Sequence, residues 1–274
     1  MILSMQNEYL GKLSFEESIR KVKGFGLNYV ECLVLWFRNI NISKAKELFL
    51  KHQVKISAIN TWHEPQSLKE KKDYVLEGIK IAIELEVKYV IVYFGNLSIE
   101  PTIEIFEEFI HPCLLEAEKR GIILALETEF DISGKDITRT AVGCLKIIEK
   151  INSDYLKVNF DPGNIYIAGE EPFPYAYEML KDHIAYIHLK DAVKYDPSLY
   201  GSEENNLIFE DISGKYICVP VGKGAINYEG FLESLLKNKY QGFLTVEPHV
   251  VRDKLDEAFI SGIRYVKTRL KSYV

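Results

Sequence analysis

The sequence predicts an α/β fold, a single-domain (β/α)₈ TIM barrel spanning residues 1–274. Three observations predict it. Short apolar, β-rich runs recur eight times, most of them are separated by a segment of helical periodicity, and no linker or charge block divides the chain. Strand then helix, repeated, is the pattern of a parallel sheet closed on itself. The length of 274 residues suits one barrel, which typically has about 250.

In order, the expected strands are ILSM (2–5), YVECLV (29–34), KISAIN (55–60), YVIVYF (89–94), ILALE (123–127), LKVNFD (156–161), IAYIHLKD (184–191) and FLTVE (243–247). They read as nearly continuous apolar runs because both faces of a parallel strand are covered. Helical periodicity fills 14–23, 43–52, 69–85, 103–120, 139–151, 172–181 and 228–237, and 253–270 closes the chain. Gly24, Gly26 and Gly121 precede strands, and Pro101 and Pro172 stand near helix starts. Pro112 is expected to interrupt its helix. The segment 192–227, polar in KYDPSLYGSEENN and glycine-rich in VGKGAIN, is expected to be a long irregular loop on the rim. Such loops are usually lids or substrate-binding flaps.

Composition narrows the function. Apolar residues at 47% and charged residues at 27% give a globular balance, and the net charge of −6 does not suit a phosphate backbone. No nucleic-acid partner is expected. Cys32, Cys113, Cys144 and Cys218 form no C-x-x-C pair and read as packed thiols. The N-terminus lacks a signal-peptide pattern, and no apolar run approaches the ~20 residues that cross a bilayer. The expectation is a cytoplasmic protein without a membrane partner.

Barrel sites form at the C-terminal ends of strands. In ILALE, KVNFD, AYIHLKD and GFLTVE, the alternation of faces puts Glu127, Asp161, His188 and Glu247 on one face. On four successive strands, these residues would converge on the barrel axis. Three carboxylates crowded in a dry site repel one another unless a cation neutralises them. A divalent ion held by Glu127, Asp161, His188 and Glu247 is therefore expected. Mn²⁺, Mg²⁺, Co²⁺ and Zn²⁺ all suit such a ligand set, and Mn²⁺ is placed first.

At these residues the sequence resembles the xylose isomerase-like barrel superfamily of sugar isomerases and epimerases. LALETEF, VNFDPGN, YIHLKDA and the closing PVGKGAINYEGFLESLLKNKYQGFLTVEPH carry the resemblance. It implies that Glu127, Asp161, His188 and Glu247 bind one metal, with Glu127 and Glu247 as proton-transfer groups on opposite sides of the substrate. Two departures are visible. Asn164 stands where ketose 3-epimerases usually carry histidine, and Lys190 and Lys194 are the nearest cations where those enzymes commonly have arginine.

The expected function is a divalent-metal-dependent isomerase or epimerase of a sugar, keto-sugar or related polyol. It would remove a proton next to a carbonyl through a metal-stabilised enediolate. The alternative is a dehydratase (lyase) of a hydroxy-ketone such as an inosose. A third reading, a DNA-repair phosphodiesterase, is disfavoured by Asn164 and by the absence of a D-x-H between His188 and Glu247. Asn164, Lys190, Glu31, His63 and Trp62 are expected to bind a small carbohydrate substrate, with Tyr93, Glu129 and Asn159 supporting them. Gly222, Lys223 and Gly224 read more readily as a tight turn than as a phosphate loop. Relatives often pair, so a homo-oligomer is compatible with the sequence.

Overall fold

The computed structural model describes residues 1–9, 12–65, 67–95 and 102–272. The first half alternates β1 (Ile2–Gln6), α1 (Phe15–Gly24), β2 (Tyr29–Leu33), α2 (Ile42–His52), β3 (Lys55–Asn60), α3 (Leu68–Glu84), β4 (Tyr89–Val92) and α4 (Ile103–Arg120). It continues through β5 (Ile123–Glu127), α5 (Ala141–Ile151), β6 (Leu156–Phe160), α6 (Pro162–Ile167), α7 (Tyr177–Leu180) and β7 (Ile184–Leu189). The chain then leaves the barrel for β8 (Asp191–Lys194), α8 (Pro197–Tyr200), β9 (Ile208–Asp211) and β10 (Gly214–Val219). It returns through α9 (Tyr228–Lys237) to β11 (Phe243–Val246) and ends in α10 (Leu255–Ser272).

Strands β1 to β7 and β11 close into an eight-stranded parallel barrel, with β1 sealing the ring between β11 and β2. The short first run is therefore held on both sides: Leu3 is opposite Leu244, and Met5 is opposite Val30. It also extends one residue past ILSM, to Gln6.

Local chemistry accounts for the helices. Ser14 and Glu17 form a capping box at the start of α1, which carries glutamates in its first turn and lysines in its last. Its buried face is Ser18, Ile19 and Val22. Pro112 does not interrupt α4; the helix runs through it, held by buried Phe109, Ile110 and Cys113, and stops at Gly121 with φ 67°. Tertiary packing outweighs the lost N–H here. Pro101 lies outside the described residues. The helix expected at 172–181 is reduced to Tyr177–Leu180, because Pro172 and Pro174 interrupt the hydrogen-bond ladder and leave Phe173 extended.

The larger correction concerns 192–227. It is not an irregular loop. Strands β8, β9 and β10 form an antiparallel three-stranded sheet in the order β8-β10-β9. The tight turn between β9 and β10 ends on Gly214 at φ 136°, a conformation that favours glycine.

The barrel has two packed regions. An extensive apolar layer lies between strands and helices, while the lower barrel interior holds Ala58, Ile91, Ala125 and Tyr186. Above these runs a polar layer: the Tyr186 hydroxyl donates to Ser57 Oγ at 2.8 Å, and Thr245 Oγ1 donates to Tyr186 at 2.6 Å. Buried hydroxyls that satisfy one another make a rigid floor for whatever sits above.

Candidate active site

Four barrel strands deliver four ligand-capable side chains to one point. Ligand atoms of Glu127, Asp161, His188 and Glu247 all lie within 4.8 Å of one another, and all four residues are buried. Glu127 ends β5, and His188 is the penultimate residue of β7. Asp161 and Glu247 each follow the last residue of their strand. Asp161 is also the N-cap of α6: its Oδ1 accepts the amides of Gly163 at 2.7 Å and Asn164 at 3.1 Å. That fixes the carboxylate and turns Oδ2 toward the cluster.

Gly163, in the PGN motif, is required by crowding. A β-carbon there would lie 2.6 Å from Lys190 Cγ and 2.7 Å from Lys190 O.

His188 is gripped at both ring nitrogens. Nε2 lies 2.8 Å from Glu31 Oε2, and Nδ1 lies 3.1 Å from Glu127 Oε1 and 3.3 Å from Glu247 Oε2. Glu31 is itself held by Asn60 Nδ2 at 2.8 Å and Gln6 Nε2 at 3.2 Å. Gln6 also donates to Glu247, and Asn159 donates to Glu127.

Lys190 Nζ lies 2.8 Å from both Asp161 Oδ2 and Glu247 Oε2 and donates to Asn164 Oδ1 at 2.9 Å. Beyond that ion pair neither of the two carboxylate oxygens has a hydrogen-bond partner. Buried carboxylate oxygens in that condition are costly. Together with Nδ1 of His188, they are the donor set that a divalent ion satisfies, so the residues fit a metal.

The electrostatics are uneven. Burial pushes Glu127 up to about 7, against the pull of His188. Burial also raises Asp161, opposed by Lys190. Glu247 goes the other way: burial would raise it, but the charges of His188 and Lys190 outweigh that and hold it well below the usual carboxylate range. Two carboxyl groups with divided protonation states are the raw material of acid–base chemistry.

Above the cluster opens a cavity of about 420 Å³. Glu127, Glu129, Glu247, Asn164 and Lys190 line it, with Trp62, Tyr93, Leu33 and Phe130. One wall comes from the sheet of β8, β9 and β10: Phe209 of β9 stacks on His249 at 5.9 Å and meets the edge of Phe130 at 5.7 Å.

Of the expected substrate contacts, Trp62, Asn164 and Lys190 line this cavity. Two others do not. Glu31 is fully buried beneath the cavity, holding His188. His63 turns away to Glu70 at 2.9 Å and packs on Tyr74. Of the supporting residues, Tyr93 donates to Asn60 at 3.2 Å, Glu129 faces the cavity, and Asn159 braces Glu127.

Sequence reasoning missed Gln6, Asn7, Glu8 and His249, all of which line the cavity. The rule that sites sit at strand ends would have found the first three, had β1 been extended to Gln6. Glu8 accepts the His249 amide at 3.2 Å, and His249 adopts φ 39°, a strained conformation for a non-glycine residue.

The family described as xylose isomerase-like TIM barrel matches residues 19–269. The chain belongs to that family. A 104-residue stretch is 38% identical to an inosose dehydratase from Mesomycoplasma hyopneumoniae strain 7448, covering 37% of this chain and 33% of that one. The match thus spans about a third of the curated relative's length. Among solved structures, the barrel is similar to the IOLI protein with a bound zinc atom (TM-score 0.74, 17% identity, covering 100% of this chain and 99% of that one). It is also similar to 3-keto-D-glucoside 4-epimerase from E. coli (TM-score 0.74, 14% identity, covering 98% and 99%). At these identities the likeness is one of fold. No helix of this family member, among the described residues, is long and apolar enough to cross a membrane.

Proposed function

We propose that this barrel is a divalent-metal-dependent enzyme that removes a proton from carbon next to a carbonyl in a small polyhydroxy ketone, with isomerisation or epimerisation as the outcome. The observation that carries the reading is the convergence of Glu127, Asp161, His188 and Glu247 within 4.8 Å beneath an open cavity. Mn²⁺ is the ion proposed; zinc in a neighbour of the same fold supports the wider class of divalent ions. When bound, such an ion polarises a carbonyl and offsets the carboxylate charge. Glu127 and Glu247 then act as proton-transfer groups, each contributing about 10²–10⁴-fold. Asn164 and Lys190 hold substrate oxygens, and Trp62 covers the mouth. Four free, buried cysteines support a reducing, cytoplasmic setting.

A second reading is dehydration. The stretch shared with an inosose dehydratase favours it. The same two glutamates serve both outcomes: returning the proton to the other face gives an epimer, and delivering it to a departing hydroxyl gives an enone and water.

Elemental analysis of the purified protein, then a ketose, keto-sugar and inosose panel in D₂O followed by NMR, tests both. Deuterium at one product carbon without water loss is the expected result, with Glu127→Gln and Glu247→Gln each reducing turnover by about 10²-fold or more. Ultraviolet-absorbing enone selects the second reading. A protein that takes up no divalent ion, or variants that turn over normally, defeats both.

A further inference from the structure

Barrels of this architecture commonly bind phosphate in the loops after strands seven and eight, at backbone amides. Here that place is between β10 and α9, and its amides are already spoken for. Asp191, fully buried at the start of β8, accepts Gly222 N–H at 2.9 Å and Gly224 N–H at 2.8 Å on one oxygen. Its other oxygen accepts Ala192 N–H at 3.0 Å and Ile226 N–H at 3.4 Å. A cluster of convergent backbone amides is an anion site. In this chain the anion is a carboxylate of the protein itself. The fit is close enough that a β-carbon on Gly224 would strike it. Lys223, between the two glycines, is exposed.

The cavity points the same way. Glu8, Glu127, Glu129 and Glu247 face into it, with Asp161 just below, and its lining holds one lysine and no arginine. That lysine is 2.8 Å from two carboxylates. None of the residues outside the described ranges is lysine or arginine, so no cation from there can complete an anion site. With that lysine already engaged by Asp161 and Glu247, the described lining offers no free lysine or arginine to a second anion.

From these two observations, and resting on the reading of the site as a polyhydroxy-ketone enzyme, we propose that the substrate is uncharged: the chain fills its own phosphate nest with Asp191 and rejects phosphorylated or carboxylated counterparts of the compound it accepts.

The test has two arms. In the first, the metal-loaded enzyme is given neutral ketoses and inososes beside their monophosphates and acids. Turnover is expected on neutral members, with kcat/KM lower by about 100-fold or more on the anions, as like charges brought together in a desolvated site require. Anions used as well as their neutral partners overturn the proposal. In the second arm, inorganic phosphate is added to wild type and to Asp191→Ala, and thermal unfolding is followed. Phosphate should raise the melting temperature of the variant, whose amides are left open, and leave wild type unmoved. Equal stabilisation of both, or none of the variant, overturns it. Should Asp191→Ala not fold, stabilisation of the wild type by phosphate still decides. If metal binds but no compound in either panel reacts, the proposed function has failed, and the phosphate arm judges the filled nest separately.

Discussion

His188 owes its orientation to a fully buried carboxylate, Glu31. Glu31 accepts from Nε2, which leaves Nδ1 free to face Glu127 and Glu247. Carboxylates in this position fix the tautomer and raise the basicity of a metal-ligating imidazole, and losing one typically weakens metal binding 10–100-fold. Glu31→Gln, which keeps the shape but not the charge, should therefore lower divalent-ion affinity by about that factor, read by competition with a chromogenic chelator. Unchanged affinity would mean the contact only fills space. Glu8 offers a pH-dependent counterpart. Burial first, and the charge of Glu247 second, raise its carboxyl from 4.5 to about 8. A group whose folded value is raised stabilises the fold fully below its unfolded value and loses that contribution as pH climbs through the folded one. In metal-free protein, wild type should thus lose melting temperature relative to Glu8→Gln between about pH 5 and pH 8. Parallel curves would remove Glu8 from the account. The residue is partly open to the cavity, so the separation should be a few degrees rather than large.

At the scale of elements, the sheet of β8, β9 and β10 is fastened to the barrel by an ion pair. Arg139 pairs with Asp211 at the end of β9 and donates to Ala168 O at 2.9 Å, and Asp211 also accepts the Asp131 amide at 3.1 Å. Removing one member of a buried pair strands the other charge. Asp211→Ala should therefore loosen the sheet that carries Phe209 into the cavity wall. Faster amide exchange in β9 and β10 is expected, with KM raised several-fold and kcat little changed; exchange identical to wild type would show that the clasp bears no strain. This sheet was also where sequence reasoning failed. The barrel strands were legible because they read as nearly continuous apolar runs and most are followed by helical periodicity. The strands of the side sheet are short and half exposed, and a glycine-rich tail follows them, so their pattern resembled loop. The converging quartet was legible because strand-end polarity repeats four times. Glu31 was found but lies deeper than expected, against His188, since alternation along a strand gives a face and not the depth of a side chain. Gly222 and Gly224 read correctly as a turn, but a sequence cannot reveal that their amides meet Asp191.

Across the whole molecule, the site is a place where stability is set aside for function. Glu127 and Asp161 are both raised by burial, and Asp161 Oδ2 and Glu247 Oε2 have ion pairs alone for partners. A divalent ion would bind this arrangement only in the folded chain, because the four side chains come from β5, β7 and the residues just past β6 and β11, far apart in sequence. Binding to the native state alone stabilises by RT ln(1 + [L]/Kd), about 2.7 kcal/mol at a hundredfold excess over Kd. In domains of about 150–250 residues each kcal/mol moves the melting temperature by about 2–4 °C, so in this slightly larger chain metal loading should raise it by roughly 5 °C. The increment should disappear in excess chelator and return on adding Mn²⁺. It should be much smaller in Asp161→Asn, which keeps the N-cap acceptor of α6 and loses the charge facing the cluster. The N-cap comparison separates the two roles of Asp161: destabilisation seen equally with and without metal belongs to the helix, and only the part that vanishes in chelator belongs to the ion. A melting temperature indifferent to metal in wild type would mean that Lys190 alone balances these carboxylates, and the four residues would then be a salt-bridge network rather than a metal centre.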